Sequence, residues 1–161
     1  PVSLSCTCMP PAVVTPGSSQ PGTGNTRSTP PTAITTALGR TLRTRPCARI
    51  EDAIVVTTDP RQFRTPEDEA ALRAVADPAR FLRYGGDCYC YTQLAMGFVD
   101  VVIENGLHAY DVQALMPIVA AAGGQITTWD GGRCDEGGSV VACGDRALHP
   151  KVLELLAPAS G

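Results

Sequence analysis

From Arg40 onward, short β-branched runs alternate with helical patterns, and the links between them are short. Strands that recur with a helix between them pack side by side only if each helix crosses back over the sheet, so this alternation restricts the chain to an α/β layered fold. RIEDAIVVTT (49–58) contains the run AIVVTT, which reads as a buried strand. Thr65 is expected to cap the helix TPEDEAALRAVAD. Pro66 takes its first position, acids crowd its first turn, and apolar residues recur at 71, 72, 75 and 76. RFLRYG (80–85) reads as a strand, and CYCYTQLAMG (88–97) as a helix ended by Gly97. FVDVVIE (98–104) is a strand and Asp111 to Ala122 a helix. QITTWD (125–130) is a strand, GGRCDEGG (131–138) a loop, SVVACG (139–144) a last strand and ALHPKVLELLA (147–157) a last helix. The expected architecture is a mostly parallel or mixed sheet with helices packed on it, without internal repeats.

The first 39 residues have a different texture. Residues 1–36 hold seven of the 14 prolines and thirteen Ser or Thr, with Arg27 as the single charge. Such a stretch buries too little apolar surface to offset its ordering entropy, so disorder is expected. The expected division is a low-complexity segment at 1–39 and an α/β domain at 40–161. A formal net charge of −3 offers no broad basic surface for nucleic acid. No apolar run reaches the roughly 18–20 residues of a membrane-spanning helix, so no membrane partner is expected. The start has no basic and apolar signal-peptide pattern, and a chain that opens at Pro1 reads as a fragment or a processed piece. The seven cysteines (6, 8, 47, 88, 90, 134 and 143) are odd in number and scattered, which suits reduced thiols and a cytoplasmic location. Cys88 and Cys90 stand two apart on an expected helix and would point in different directions, so packed thiols are the better reading than a zinc site.

Three acidic positions are candidates for chemistry. Asp111 directly precedes the apolar pattern of Val112, Leu115, Met116 and Val119. By itself it is an N-cap in most proteins, and less often a functional carboxylate. Pro117 is unusual inside that helix, because it removes the hydrogen bond to residue 113. Glu104 closes the strand FVDVVIE, at the kind of strand end where α/β folds place ligands. An ordinary solvated acid is the plainer reading. Together, Glu104 and Asp111 bracket a short loop and could share a hard cation or a cationic substrate. In GGDCY (85–89), Gly85 and Gly86 permit close backbone approach, and Asp87 either caps the next helix or contacts substrate. His108 and His149 lack a nucleophile-elbow motif that would make a hydrolase triad. DGGRCDEGG (130–138) lacks the alternating oxygen ligands of a calcium loop and reads as a flexible turn.

Taken together, LRYGGDCYCYTQLAMGFVDVVIENGLHAYDVQALMPIVAAAGGQITTWDG resembles the C-terminal half of the inositol monophosphatase family, most closely its histidinol-phosphatase branch. RTRPCARIEDAIVVTTDP (43–60) and SVVACGDRALHPKVLELL fit the same branch, so the resemblance runs from about Arg40 to Ala157. The family's W-D-x-x-A-like motif stands here as Tyr110-Asp111-Val112-Gln113-Ala114, followed by Ala122-Gly123-Gly124. Tyr in place of Trp suits the histidinol-phosphatase branch, as does GGDCY. His108 departs from it, since Lys is common there and His is seen in inositol phosphatases. The resemblance implies the C-terminal α/β layer of that fold, and hydrolysis of a small phosphate monoester by a Mg²⁺-activated water. It makes Asp111 a Mg²⁺ ligand, with Gly85, Gly86, Asp87 and Glu104 lining the substrate pocket. Relatives of this kind are commonly dimers, so a homodimer is one expected partner. For histidinol phosphate, Asp87 and Glu104 would hold the ammonium or imidazolium.

One part of the family pattern is missing. The D-P-I-D-G-T-like metal motif and the glutamate upstream of it do not occur; the Asp-Pro pairs are Asp59-Pro60, followed by RQF, and Asp77-Pro78, followed by ARF. One aspartate holds Mg²⁺ weakly, so no complete catalytic set is expected here and the isolated chain is expected to be inactive or nearly so. Residues 1–36 then read either as a natural linker or as a frameshifted or truncated stretch of the gene. Three functions remain open: the C-terminal part of a Mg²⁺-dependent histidinol or inositol phosphatase, completed by a missing N-terminal half; a non-catalytic module that binds a phosphate ester or a partner chain; or an inactive fragment with uncovered apolar surface.

Overall fold

The computed structural model describes Gly39 and residues 41–157, so the low-complexity reading of residues 1–39 lies almost wholly outside the described residues. The described elements are β1 (Ile54–Thr57), α1 (Pro66–Ala76), β2 (Phe81–Tyr84), α2 (Cys88–Ala95), β3 (Val101–His108), α3 (Ala109–Val112), α4 (Leu115–Ala122), β4 (Gln125–Thr128), β5 (Gly137–Cys143) and α5 (His149–Leu156). The strands form one mixed sheet in the order β2-β1-β3-β5-β4. β1 runs parallel to β2 and β3, while β5 runs antiparallel to β3 and β4. No described helix is long and apolar enough to cross a membrane.

The β-branched runs are continuous because both faces of the sheet are covered. Side chains alternate between two cores. Val55, Val101, Ile103, Val141 and Cys143 face α1 and α5, where Leu72, Val75, Leu148, Val152 and Leu156 pack on them. Val56, Val102 and Ala142 face α2 and α4, meeting Leu94, Leu115 and Val119. α1 starts as its sequence requires. Thr65 accepts the Asp68 N–H at 3.1 Å, and Asp68 accepts the Thr65 N–H at 3.2 Å, a reciprocal pair that satisfies both ends of the first turn.

The sheet is clamped from below by Asp100, just before β3. Its carboxylate is fully buried and accepts the Ile54 N–H at 2.8 Å and the Arg45 Nε–H at 2.7 Å; Arg45 Nη2 closes a second bond to the same group. The Asp100 carbonyl also accepts the Gly144 N–H at 2.8 Å. One residue thereby joins the start of β1, the end of β5 and the segment before β1.

Several boundaries differ from the sequence expectation: β3 starts at Val101 rather than Phe98, β4 ends at Thr128 rather than Asp130, and three differences bear on the site. The helix expected from Asp111 to Ala122 is two helices, α3 and α4, broken at Gln113–Ala114. Pro117 is the cause: it has no N–H to give to the Gln113 carbonyl, and its ring crowds that carbonyl. β3 does not end at Glu104 but continues through a bulge to His108, where Leu107 pairs with Gly138 and His108 with Gly137. β5 starts two residues early for the same reason. A Cβ on Gly137 would lie 2.3 Å from the Leu107 carbonyl oxygen, so only glycine lets the two strands close.

Two measurements probe this frame. Asp100→Ala removes a buried carboxylate and orphans the Ile54 N–H, so it should lower the unfolding free energy by about 3 kcal/mol in denaturant titration. His149 is buried against Thr127, its Nε2 2.9 Å from the hydroxyl, and burial holds its pKa below the ordinary 6.5. The unfolded chain therefore binds the extra proton first. The stability that neutral His149 contributes is complete above pH 6.5 and is lost as pH falls through its lower folded value. Melting measured from pH 7.5 downward should show a steeper acid loss in the wild-type chain than in His149→Gln.

Candidate functional site

The carboxyl ends of the parallel strands meet at one edge of the sheet. Thr57 pairs with Tyr84, which places Thr58 beside the Gly85-Gly86-Asp87 loop. Glu104 reaches Thr58 from the next strand. Its Oε1 accepts the Thr58 N–H at 3.0 Å and the Thr58 hydroxyl at 2.5 Å. Glu104 is only 3% exposed, which overturns the plain reading of a solvated strand-end acid. The strand runs on past it, and α2 covers it. Burial raises its pKa above the ordinary value, against the lowering effect of hydrogen bonds from Thr58 and Gln62, and the negative charge of Asp87 adds to the rise.

The glycine loop is backbone-strained. Gly85, Gly86 and Asp87 have successive positive φ values of 91°, 116° and 45°. For Asp87 that conformation is costly, and residues held so are concentrated at functional sites. Asp87 stands at the N-cap position of α2, but its side chain makes no capping bond, so the capping reading does not hold; the carboxylate is exposed at the loop. Beneath the loop, the Cys90 thiol donates to the Gly85 carbonyl at 3.1 Å. Burial, together with the charges of Glu104 and Asp87, pushes its pKa up to about 11, so the thiol keeps its proton. Cys88, two residues before it on α2, is exposed.

Asp111 is not the N-cap of its helix but its third residue. Its Oδ2 accepts the His108 N–H at 2.8 Å, and His108 holds the cap position. The sequence expectation misplaced it because α3 begins at Ala109, one turn earlier than the apolar pattern shows. Tyr91, 2% exposed, lies within electrostatic reach of both Glu104 and Asp111, and its hydroxyl has no hydrogen-bond partner. His108 stacks on the exposed ring of Tyr110, with centroids 5.1 Å apart. His149 begins α5, whose Val152 and Leu156 pack in the opposite core, and its ring is bonded to Thr127 rather than to the site.

Gly85, Gly86, Asp87 and Glu104 therefore form one group, and Asp111 is linked to it only through its electrostatic reach to Tyr91. Sequence reasoning missed Thr58, Gln62, Cys90 and Tyr91. The second threonine of AIVVTT, directly after a strand, was the one available signal. None of the described ion pairs involves Asp87, Glu104 or Asp111. The edge is thus acidic and uncompensated, and it suits a cation.

A model of the inositol monophosphatase family matches residues 18–160. Over 127 residues the chain is 42% identical to the bifunctional phosphatase IMPL2, chloroplastic, of Arabidopsis thaliana, covering 73% of this chain and 36% of that protein. It is 39% identical over 75 residues to the histidinol-phosphatase of Mycobacterium tuberculosis, covering 47% of this chain and 28% of that protein. The fold is similar to that of an inositol monophosphatase from Zymomonas mobilis, with a TM-score of 0.70 and 35% identity over 74% of this chain and 47% of that one. The chain spans less than half the length of each of these relatives. With a match that takes in the whole sheet and the acidic edge, the chain belongs to the inositol monophosphatase family.

Proposed function

We propose that this chain supplies the leaving-group side of a phosphate-monoester hydrolase, and that the leaving group is cationic, as in histidinol phosphate. One observation carries the reading: Glu104, buried, stands beside Asp87 with no Lys or Arg paired to either. A buried carboxylate without a cation is costly, and an ammonium or imidazolium of the substrate would relieve that cost. An inositol phosphate, whose ring is an uncharged polyol, would gain less from the same pair.

A phosphate would be repelled by these acids unless a divalent cation lay between them. The described residues do not by themselves fit such an ion. No group of three or more His, Cys, Asp or Glu able to hold a metal occurs among them, and one oxygen of Asp111 is already taken by the His108 N–H. Asp111 is then one Mg²⁺ ligand of a set whose other carboxylates come from outside the described residues, on a longer chain or a partner. The protein's own contribution is to orient the leaving group, with Glu104 and Asp87 gripping its cation over the glycine loop.

In an enzyme completed by the missing carboxylates, Glu104→Gln should raise KM for histidinol phosphate roughly 10- to 100-fold, the loss of a charge-assisted bond. Asp87→Asn should raise it about 3-fold, because an exposed charge is screened. KM for inositol phosphate should move little, and steady-state kinetics on both substrates decide between them. The 161-residue chain alone, supplied with Mg²⁺, should release phosphate at the background rate. Metal-dependent release that Asp111→Asn abolishes would overturn this reading.

A further inference from the structure

A loop with three successive positive φ values must be held in place by its surroundings. Three residues do this. The Gly85 N–H is shared by the Thr57 and Thr58 carbonyls, at 3.1 and 2.9 Å, and the Gly85 carbonyl accepts the Cys90 thiol at 3.1 Å. Thr58 is bonded through all three of its polar groups. Its carbonyl holds the loop, while its N–H and hydroxyl both go to one oxygen of Glu104. A Cβ on Gly86 would lie 2.8 Å from the Cys90 sulfur, so the thiol packs directly under the loop. An unbroken chain of hydrogen bonds thus runs from Glu104 through Thr58 to Gly85, and Cys90 closes it from below.

We propose that Thr58 and Cys90 are positioning residues, which lock the Gly85–Asp87 loop to Glu104 so that the two carboxylates meet a ligand as one rigid unit. The proposal rests on the reading of Asp87 and Glu104 as ligand-contacting residues. Neither Thr58 nor Cys90 needs to touch the ligand: Cys90 is 1% exposed, and the Thr58 hydroxyl is spent on Glu104. Their effect on binding passes through the loop.

Amide hydrogen exchange on the ligand-free chain tests the lock without any substrate. Thr58→Val keeps the volume and the N–H but drops the hydroxyl, and Cys90→Ala drops the thiol. Each should speed exchange of the hydrogen-bonded Gly85 and Tyr89 amides about 3- to 10-fold, the loss of one modest hydrogen bond, and leave the amides of β3 and β5 unchanged. Thr58→Ser and Cys90→Ser, which keep a donor, should restore slow exchange. Unchanged loop exchange in both Thr58→Val and Cys90→Ala would overturn the proposal. So would acceleration shared evenly by the whole sheet, which marks a general structural role. Thr58→Val is near-isosteric, so the test does not depend on whether Cys90→Ala folds. In the completed enzyme, the same two variants should raise KM for histidinol phosphate by a similar factor and leave kcat within about 2-fold. Faster loop exchange with an unmoved KM would confirm the lock and overturn the substrate reading instead.

Discussion

Two buried carboxylates around β3 hold the strand beside it at both ends. Asp100 accepts the N–H of Ile54, where β1 begins, and Glu104 accepts the N–H of Thr58, just past its end. Both pairs are separated by 46 residues, the same offset that sets Val55 against Val101 and Val56 against Val102 in the parallel ladder. A one-residue slip would turn both acids to the opposite face and strand them without partners. Because both faces of the central parallel pair are apolar, these two carboxylates specify its register where side-chain polarity does not.

The two clamps differ in their electrostatics, and that difference separates scaffold from site. Asp100 has Arg45 against it, so its charge is compensated and its work is structural. Glu104 has a threonine, a glutamine and a nearby aspartate, and none of the described ion pairs includes it. A parallel sheet exposes its carboxyl edge to ligands, and the uncompensated acid lies at that edge. The glycine loop, Thr58 and Cys90 surround it there. Tyr91, a buried phenol without a partner, extends the polar floor toward Asp111.

Much of the fold was legible because its signals are local. The Thr65 capping box satisfies its hydrogen bonds within one turn, and AIVVTT and the stripe at Leu115 and Val119 announce burial in their residue pattern, although the strands and helices that cover them lie elsewhere in the chain. The misplaced boundaries all depend on distant partners or on competing local effects. Pro117 was visible as an anomaly, yet the split into α3 and α4 follows from which carbonyl it deprives. β3 runs on past Glu104 because Gly137 and Gly138, thirty residues away in sequence, close against it. Asp111 changed from cap to third helical residue once α3 began at Ala109.

The sequence alone determined the alternation of strands and helices, the resemblance to one phosphatase family, and which acids stand near strand ends and glycines. These properties reside in single residues and short spacings. Only the tertiary structure decided that Glu104 is buried rather than solvated, that Asp87 caps nothing, and that Thr58 and Cys90 hold the loop between them. Burial and the sharing of hydrogen bonds depend on which elements become neighbours. The parallel pairing of β1 with β3, and the packing of α2 over both, bring together groups that lie far apart along the chain.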